Sequence, residues 1–338
     1  MDEELNQNLE NVKNLTIFDS LIKTANVINN RGYRNIICSI SGGSDSDIMI
    51  DILTKLDSNK RIKYIFFNTG LEYQATKEHL KYLEQKYNIT IEVINAVKPI
   101  PTCCRTYGQP FLSKQVSEWI TRLQQHNFKW EDKPFNELLE EYPKCKAALK
   151  WWCNEWKKGK DGQESKFNIA YNKYLKEFMV SNPPKFRISN KCCYYAKKLV
   201  AHNYKIENDV DLSIVGVRKS EGGARATAYK NCFTNNTEKG YADEFRPIFY
   251  YTNESKIDYE KVFNITHSYC YTEYGLKRTG CAGCPFGRDF EQELKIIQQY
   301  EPKLYKAVNN IFGDSYEYTR KYKEFIESMK EGIEWTGI

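Results

Sequence analysis

A chain of 338 residues with 41% hydrophobic and 14% aromatic positions has the length and the apolar content for about two domains with a sizeable core, which excludes a disordered chain. Its 50 Lys and Arg against 44 Asp and Glu leave a net charge of +6, too small a total to mark a nucleic-acid binder, although it permits an anionic partner. No run nears the ~20 apolar residues of a membrane span, and Met1-Asp2-Glu3-Glu4-Leu5 lacks the basic-then-apolar order of a signal peptide, so a cytoplasmic location with no membrane partner is expected. In a reducing compartment, eleven cysteines point to metal or redox chemistry rather than to disulfides, while singles such as Cys38 read as small buried hydrophobes.

In chain order, Leu15, Phe18, Leu21, Ile22 and Val27 have helical spacing, and Asn35 to Ile40 reads as a short buried strand running into glycines. A helix capped by Ser44 or Asp45 follows, then a strand from Ile62 to Phe67, a helix from Gln74 to Tyr87 and a strand from Ile89 to Ile94. This alternation predicts an α/β fold with a Rossmann-like parallel sheet and right-handed crossovers. From Pro99 the pattern turns to helical segments rich in Trp, Lys and Glu, read as a helical insertion over 99–186. The α/β core is expected to comprise 1–98 and 187–250, resuming with a helix near Cys192 and a strand over Asp211 to Gly216. A C-terminal helical region over 251–338 carries a Cys-x-x-Cys pair and amphipathic helices from about Phe290 to Met329.

The most informative segment is Ser41-Gly42-Gly43-Ser44-Asp45-Ser46, set between a strand and a helix. Two glycines let the backbone approach a ligand, successive amides form an anion nest, and the following helix aims its positive end at the bound group. Hydroxyls of Ser41, Ser44 and Ser46 add donors, and Asp45 is placed to hold Mg2+ or orient a leaving group. Without a Gly-Lys-Ser/Thr ending, it is not a Walker loop. The motif resembles the signature of the PP-loop ATP pyrophosphatases, the adenine nucleotide α-hydrolase superfamily. That resemblance implies ATP binding, attack of a substrate oxygen on the α-phosphate and release of pyrophosphate.

Asn68-Thr69-Gly70-Leu71-Glu72-Tyr73, directly after the second strand, is similar to the Asp-Thr-Gly-Leu-Glu segment of the phosphoadenosine phosphosulfate (PAPS) reductase branch, with Asn68 replacing the usual Asp. The resemblance implies an adenosine site at Phe67, Asn68, Thr69 and Gly70, and strand ends of this kind border ligands in open α/β sheets. Gly216 to Arg225 resembles the family's Gly-x-Arg-Arg/Lys…Arg anion grip. Arg218 and Arg225 supply fork-shaped donors and Lys219 a point charge, which together with Asp45 form the expected catalytic set.

Cys192-Cys193 and Cys281-Ala282-Gly283-Cys284 resemble the 4Fe-4S pattern of the iron–sulfur sulfonucleotide reductases, which implies four thiolates on one cluster. Zinc at the same cysteines is the competing reading. Cys270 could replace one of the pair, and Cys103-Cys104 reads as a second thiol site or as local packing. The resembled reductases carry a nucleophilic cysteine in a C-terminal Glu-Cys-Gly-Ile/Leu-His tail, whereas Cys284 is the last cysteine here. Since reductases of that branch usually have a degenerate loop, the full loop moves the expectation to an ATP-dependent adenylating enzyme coupled to cluster-dependent sulfur transfer. The resembled relatives act in tRNA thiolation or DNA phosphorothioation. Expected partners are ATP, a sulfur donor such as a cysteine desulfurase, and a nucleic acid contacted by Lys144, Lys146, Lys150, Trp151, Trp152, Lys157, Lys158 and Lys160. An APS/PAPS reductase producing sulfite and a non-catalytic nucleotide sensor or defence component are the alternatives.

Overall fold

The computed structural model describes residues 12–159, 161–222, 228–236 and 241–331. They form two compact units: the chain up to Pro99 together with Tyr195–Ala282, and Ile100–Tyr194 together with the chain from Gly283 onward. Among the described residues no helix is long and apolar enough to cross a membrane.

The first unit is built on a six-stranded sheet. Its strands are β1 (Ile36–Ile40), β2 (Ile62–Asn68), β3 (Ile91–Asn95), β4 (Leu212–Val215), β5 (Phe233–Thr234) and β6 (Asp243–Phe245), in the spatial order β3-β2-β1-β4-β6-β5. All pairings are parallel except β5 with β6. Ile36 sits in register with Ile62 on one side and Leu212 on the other, so the central strand is buried on both faces. That is why its sequence is an apolar run rather than an alternation. The chain steps outward from β1 to β3, then resumes at β4 on the opposite side of β1. Open α/β sheets bind ligands outside the carboxyl ends of the strands at such a reversal, here β1 and β4.

Helices Ser44–Leu56 and Gln74–Tyr87 pack on each other and supply Ile48, Met49, Ile52, Leu53, Leu80 and Leu83 to the core. Each such side chain contributes roughly 1.5–3 kcal/mol when fully buried. The leading helix, Leu15–Asn30, is capped by Asn14, whose side chain accepts from the Thr16 amide at 3.1 Å. Its buried stripe is Ile17, Ser20, Leu21, Thr24, Val27 and Ile28, while Leu15, Phe18 and Ile22 of the expected stripe are exposed. Two polar residues fit the buried face because Ser20 donates to the Pro247 carbonyl and Thr24 to the Ser20 carbonyl. The expected helix near Cys192 is a short turn, Lys191–Cys193, followed by a π-helical stretch and then Leu199–Glu207.

The second unit is helical, its core an aromatic cluster: Trp119 stacks on Trp151 at 5.4 Å, and Phe128 meets Trp130, Tyr142 and Trp152 edge-on. Tyr318, Tyr322 and Phe325 of the helix Pro302–Glu331 complete it. Trp151 and Trp152 are fully buried, so the expected stacking of a nucleic acid on them is corrected: their faces are spent on the core. Lys144, Lys146, Lys157 and Lys158 are exposed, and Lys160 lies outside the described residues.

Candidate functional site

Loops at the carboxyl ends of three adjacent strands, β2, β1 and β4, carry the sequence-predicted nucleotide residues. After β1, Ser41 to Ser46 turns directly into the helix Ser44–Leu56. The N-cap is Gly43, with no side-chain cap, which replaces the expected cap at Ser44 or Asp45. The amides at this helix start are thereby left to other acceptors. The Ser46 hydroxyl accepts from the Ser41 amide at 3.0 Å and bonds the Ser41 hydroxyl at 3.0 Å, closing the loop on itself. Gly42 has φ +66°, and a Cβ there would stand 2.7 Å from Thr76 Cγ2. A Cβ on Gly43 would be 3.1 Å from both the Tyr271 hydroxyl and Thr279 Oγ1. Tyr271 accepts from the Ser44 amide at 3.2 Å and from the Thr279 amide at 3.3 Å. Neither Tyr271 nor Thr279 carries a local signal of this role in the sequence.

Asp45 faces two cations. Arg218 Nε donates to its two oxygens at 3.1 and 3.2 Å, and Lys256 Nζ to Oδ1 at 2.8 Å. Burial alone would raise its pKa, but the charge and hydrogen bond of Lys256, with Glu221 and Arg218 behind them, hold it below the usual carboxylate range. Arg218 is 8% exposed and is fixed further by Ser220 at 3.0 Å and Asn253 at 3.1 Å. Lys256, on the helix Asn253–Val262, also donates to the Ser44 hydroxyl. Sequence reasoning passed over it because it lies far along the chain in an ordinary amphipathic helix. Lys219 is exposed at the start of a 3-10 turn and its amide donates to the Phe249 carbonyl, while Arg225 lies outside the described residues.

At the end of β2, Asn68 Nδ2 donates to Asn95 Oδ1 at 2.9 Å and its Oδ1 accepts from the Gly70 amide at 3.0 Å. The Glu72 carboxylate accepts from the amides of Thr69, Gly70 and Leu71 at 2.7, 3.1 and 3.0 Å and from the Thr69 hydroxyl. Glu72 thus fixes the turn, and Asn68, with no charge of its own, suffices to brace it. Phe67 meets Tyr204 edge-on at 6.3 Å.

Beneath the loop, Asp47 is fully buried and accepts from His79 Nε2 at 2.8 Å and His267 Nδ1 at 2.7 Å, while His267 Nε2 reaches Glu260 at 3.0 Å. Burial lowers the His267 pKa, but hydrogen bonds to Asp47 and Glu260 and their charges outweigh it and raise the value to about 9. A histidine raised this way stabilises the fold fully below its unfolded pKa of about 6.5, and the stabilisation is lost as pH climbs through about 9. Unfolding midpoints measured across this window are expected to fall with a contribution on the order of 1–2 kcal/mol that His267→Gln lacks; equal slopes in the two proteins would remove this role.

The sequence-predicted thiols divide between the units. In the second unit the helix Ile100–Tyr107, the turn Lys191–Cys193 and the Gly283-Cys284 segment carry Cys103, Cys104, Cys192, Cys193 and Cys284. The Cys104 thiol and burial push the Cys192 thiol up in pKa. Cys281 belongs to the first unit, its Sγ 3.8 Å from Thr69 Oγ1, and Cys270 there lies 3.6 Å from Thr76 Oγ1. Among the described residues no three Cys, His, Asp or Glu side chains already stand in a metal-holding arrangement. The donor chemistry of Cys192, Cys193 and Cys284 nevertheless suits thiolate-bound iron or zinc.

Residues 35–120 match the family model of the phosphoadenosine phosphosulfate reductase domain. An uncharacterized protein of Methanocaldococcus jannaschii is 26% identical over 306 residues, which cover 88% of this chain and 45% of that protein, so this chain spans less than half the length of the curated relative it matches. Three solved structures match parts of this chain. The PAPS reductase of Candida auris, a phosphate complex, is 12% identical at TM-score 0.41, covering 83% of this chain and 96% of that one. The U34-tRNA thiolase of Methanococcus maripaludis with its 4Fe-4S cluster is 13% identical at TM-score 0.38 (93% and 81%). The ammonia-dependent NAD synthetase of Campylobacter jejuni is 11% identical at TM-score 0.36 (90% and 95%).

Proposed function

We propose that this chain, whose residues 35–120 match the model of the phosphoadenosine phosphosulfate reductase domain, is an ATP pyrophosphatase that adenylates an acceptor. The observation that carries the reading is the loop Ser41 to Ser46 opening an uncapped helix, with Arg218 and Lys256 converging on Asp45 beside it. Three phosphates bring several negative charges, and this corner offers backbone amides, three hydroxyls, the buried Arg218 and the half-buried Lys256 to meet them. In the proposed step an acceptor oxygen attacks the α-phosphorus, the α–β anhydride bond breaks, and pyrophosphate leaves with the electron pair. Loop amides and the hydroxyls of Ser41, Ser44 and Ser46 hold the leaving pyrophosphate, while Arg218 and Lys256, released from Asp45, offset the charge that develops. Lys219 and Arg225 extend this anion grip, and Phe67 to Gly70 line the adenosine. Asp45 is the carboxylate that would meet Mg2+ carried by the triphosphate; bound there, the ion neutralises phosphate charge.

The cysteines would hold a 4Fe-4S cluster, which when bound supplies a site for the sulfur passed to the activated acceptor. The reading takes a sulfur donor such as a cysteine desulfurase and a nucleic-acid acceptor. A polyanion is supported by the exposed lysines named above and by Trp156, which is 37% exposed beside Lys150, the others among the described tryptophans being buried.

Calorimetry with a non-hydrolysable ATP analogue, pyrophosphate, AMP and PAPS tests the reading. Binding of the analogue and of pyrophosphate, at least tenfold tighter than AMP and weakened by Ser46→Ala, is the expected result. Tight PAPS binding with sulfite release and no binding of pyrophosphate would instead make the chain a sulfonucleotide reductase.

A further inference from the structure

At the end of the sheet opposite the loop Ser41 to Ser46, the first unit holds a cavity of about 340 Å³. Sites for small molecules run from about 300 to 1,000 Å³, so the volume suits one small ligand. The lining comes from the end of the helix Ser44–Leu56, the amino ends of β2 and β3, and the turn after the helix Gln74–Tyr87.

A buried acid lines it. Asp57, 6% exposed, caps the carboxyl end of the helix Ser44–Leu56. Its Oδ2 accepts from the Ile62 amide at 2.8 Å and its carbonyl from the Lys60 amide at 3.1 Å, so one turn fixes both Asp57 and Lys60. Asp57 Oδ1 finds no hydrogen-bond donor among the described residues. Arg61 Nε stands 3.8 Å from it, beyond hydrogen-bond reach, and the terminal nitrogens of Arg61 are committed to the Tyr33 and Ile28 carbonyls and to Asn29. Buried carboxylate oxygens are ordinarily partnered, which leaves this one open to a donor that a ligand brings.

The remaining lining completes a mixed chemistry. Tyr64, 5% exposed, adds a phenol that burial keeps protonated. Ile62, Ile89 and Tyr87, whose hydroxyl donates to Asp51 at 3.2 Å, give apolar walls. Glu92 accepts from the Tyr204 hydroxyl at 2.6 Å, whereas Lys60 and Lys63 are exposed cations. A simple anion would leave Asp57 unpaired, and a simple amine would meet the lysines. A molecule that carries both charges on a small apolar body satisfies every part of the lining.

We infer that this cavity binds a free α-amino acid with an apolar side chain. Asp57 and Tyr64 receive its ammonium group, Lys60 and Lys63 its carboxylate, and Ile62, Tyr87 and Ile89 its side chain. The site is separate from the nucleotide corner and stands whether or not the chain is an ATP pyrophosphatase. One helix joins the two, starting in the loop Ser41 to Ser46 and ending at Asp57.

The test is calorimetry on the full chain with leucine, methionine and phenylalanine, each set against its amine and acid analogues that lack one charge. At least one amino acid is expected to bind, at least tenfold more tightly than either of its analogues, with affinity unchanged by saturating pyrophosphate. Asp57→Asn is expected to weaken that binding at least tenfold. Lys60→Glu, at an exposed position where folding is not at stake, is expected to do the same, and far-UV circular dichroism of both variants accompanies the titrations. No binding by any of the three, equal binding of an amine or acid analogue, competition by pyrophosphate, or wild-type affinity in Lys60→Glu would overturn the inference.

Discussion

Arg218→Ala is expected to cut pyrophosphate release by about a hundredfold to a thousandfold, the usual cost of removing one preorganised donor from a developing negative charge. Arg218 is 8% exposed and its guanidinium is held by Asp45, Ser220 and Asn253, so it is aimed before any ligand arrives. Arg218→Lys separates charge from shape: it keeps the cation but not the fork, and is expected to recover no more than about a tenth of the lost rate. Pyrophosphate formation per mole of enzyme, with the acceptor that supports wild-type turnover, gives both numbers. Turnover of Arg218→Ala within threefold of wild type would remove Arg218 from the reaction.

Asp47→Ala is expected to destabilise the first unit by about 3–5 kcal/mol, because it strands a buried cationic His267 without its fully buried counter-ion. His79 loses its partner in the same substitution. Since His267 precedes the segment that carries Tyr271, whose hydroxyl receives the Ser44 amide, loop geometry is expected to fail with the network. Urea unfolding of wild type and variant measures the loss, and an unchanged midpoint would show that the network is not structural. A milder probe of the same corner is Gly42→Ala, whose φ of +66° and 2.7 Å approach to Thr76 predict a loss of about 1–3 kcal/mol in the same assay.

The legible parts of this chain are those whose signal is local. β1, β2 and the helix Gln74–Tyr87 lie where the sequence pattern puts them, since each is decided by periodicity within a dozen residues. Ser41 to Ser46 is legible for the same reason: a strand, two glycines and a helix start are adjacent in sequence. Lys256, Tyr271, Thr279 and Glu260 were not, because each reaches the loop corner from a helix or turn that only the tertiary fold brings there. The leading helix misled in a different way. Its apolar residues outnumber one stripe, and burial chose Ser20 and Thr24 over Phe18 and Ile22 because their hydroxyls find backbone acceptors. The tryptophans around Lys150 read equally well as a binding face or a core, and packing against Trp119 and Phe128 decided for the core.

The most direct measurement follows the label from ATP in the presence of bulk tRNA or duplex DNA. With α-labelled ATP the account predicts label joined to the acceptor as its adenylate, released as AMP once sulfide is supplied, and with γ-labelled ATP labelled pyrophosphate in equal amount, both abolished by Asp45→Ala. Labelled inorganic phosphate without pyrophosphate would place the cleavage at the γ-phosphate and contradict the proposed chemistry at the α-phosphorus.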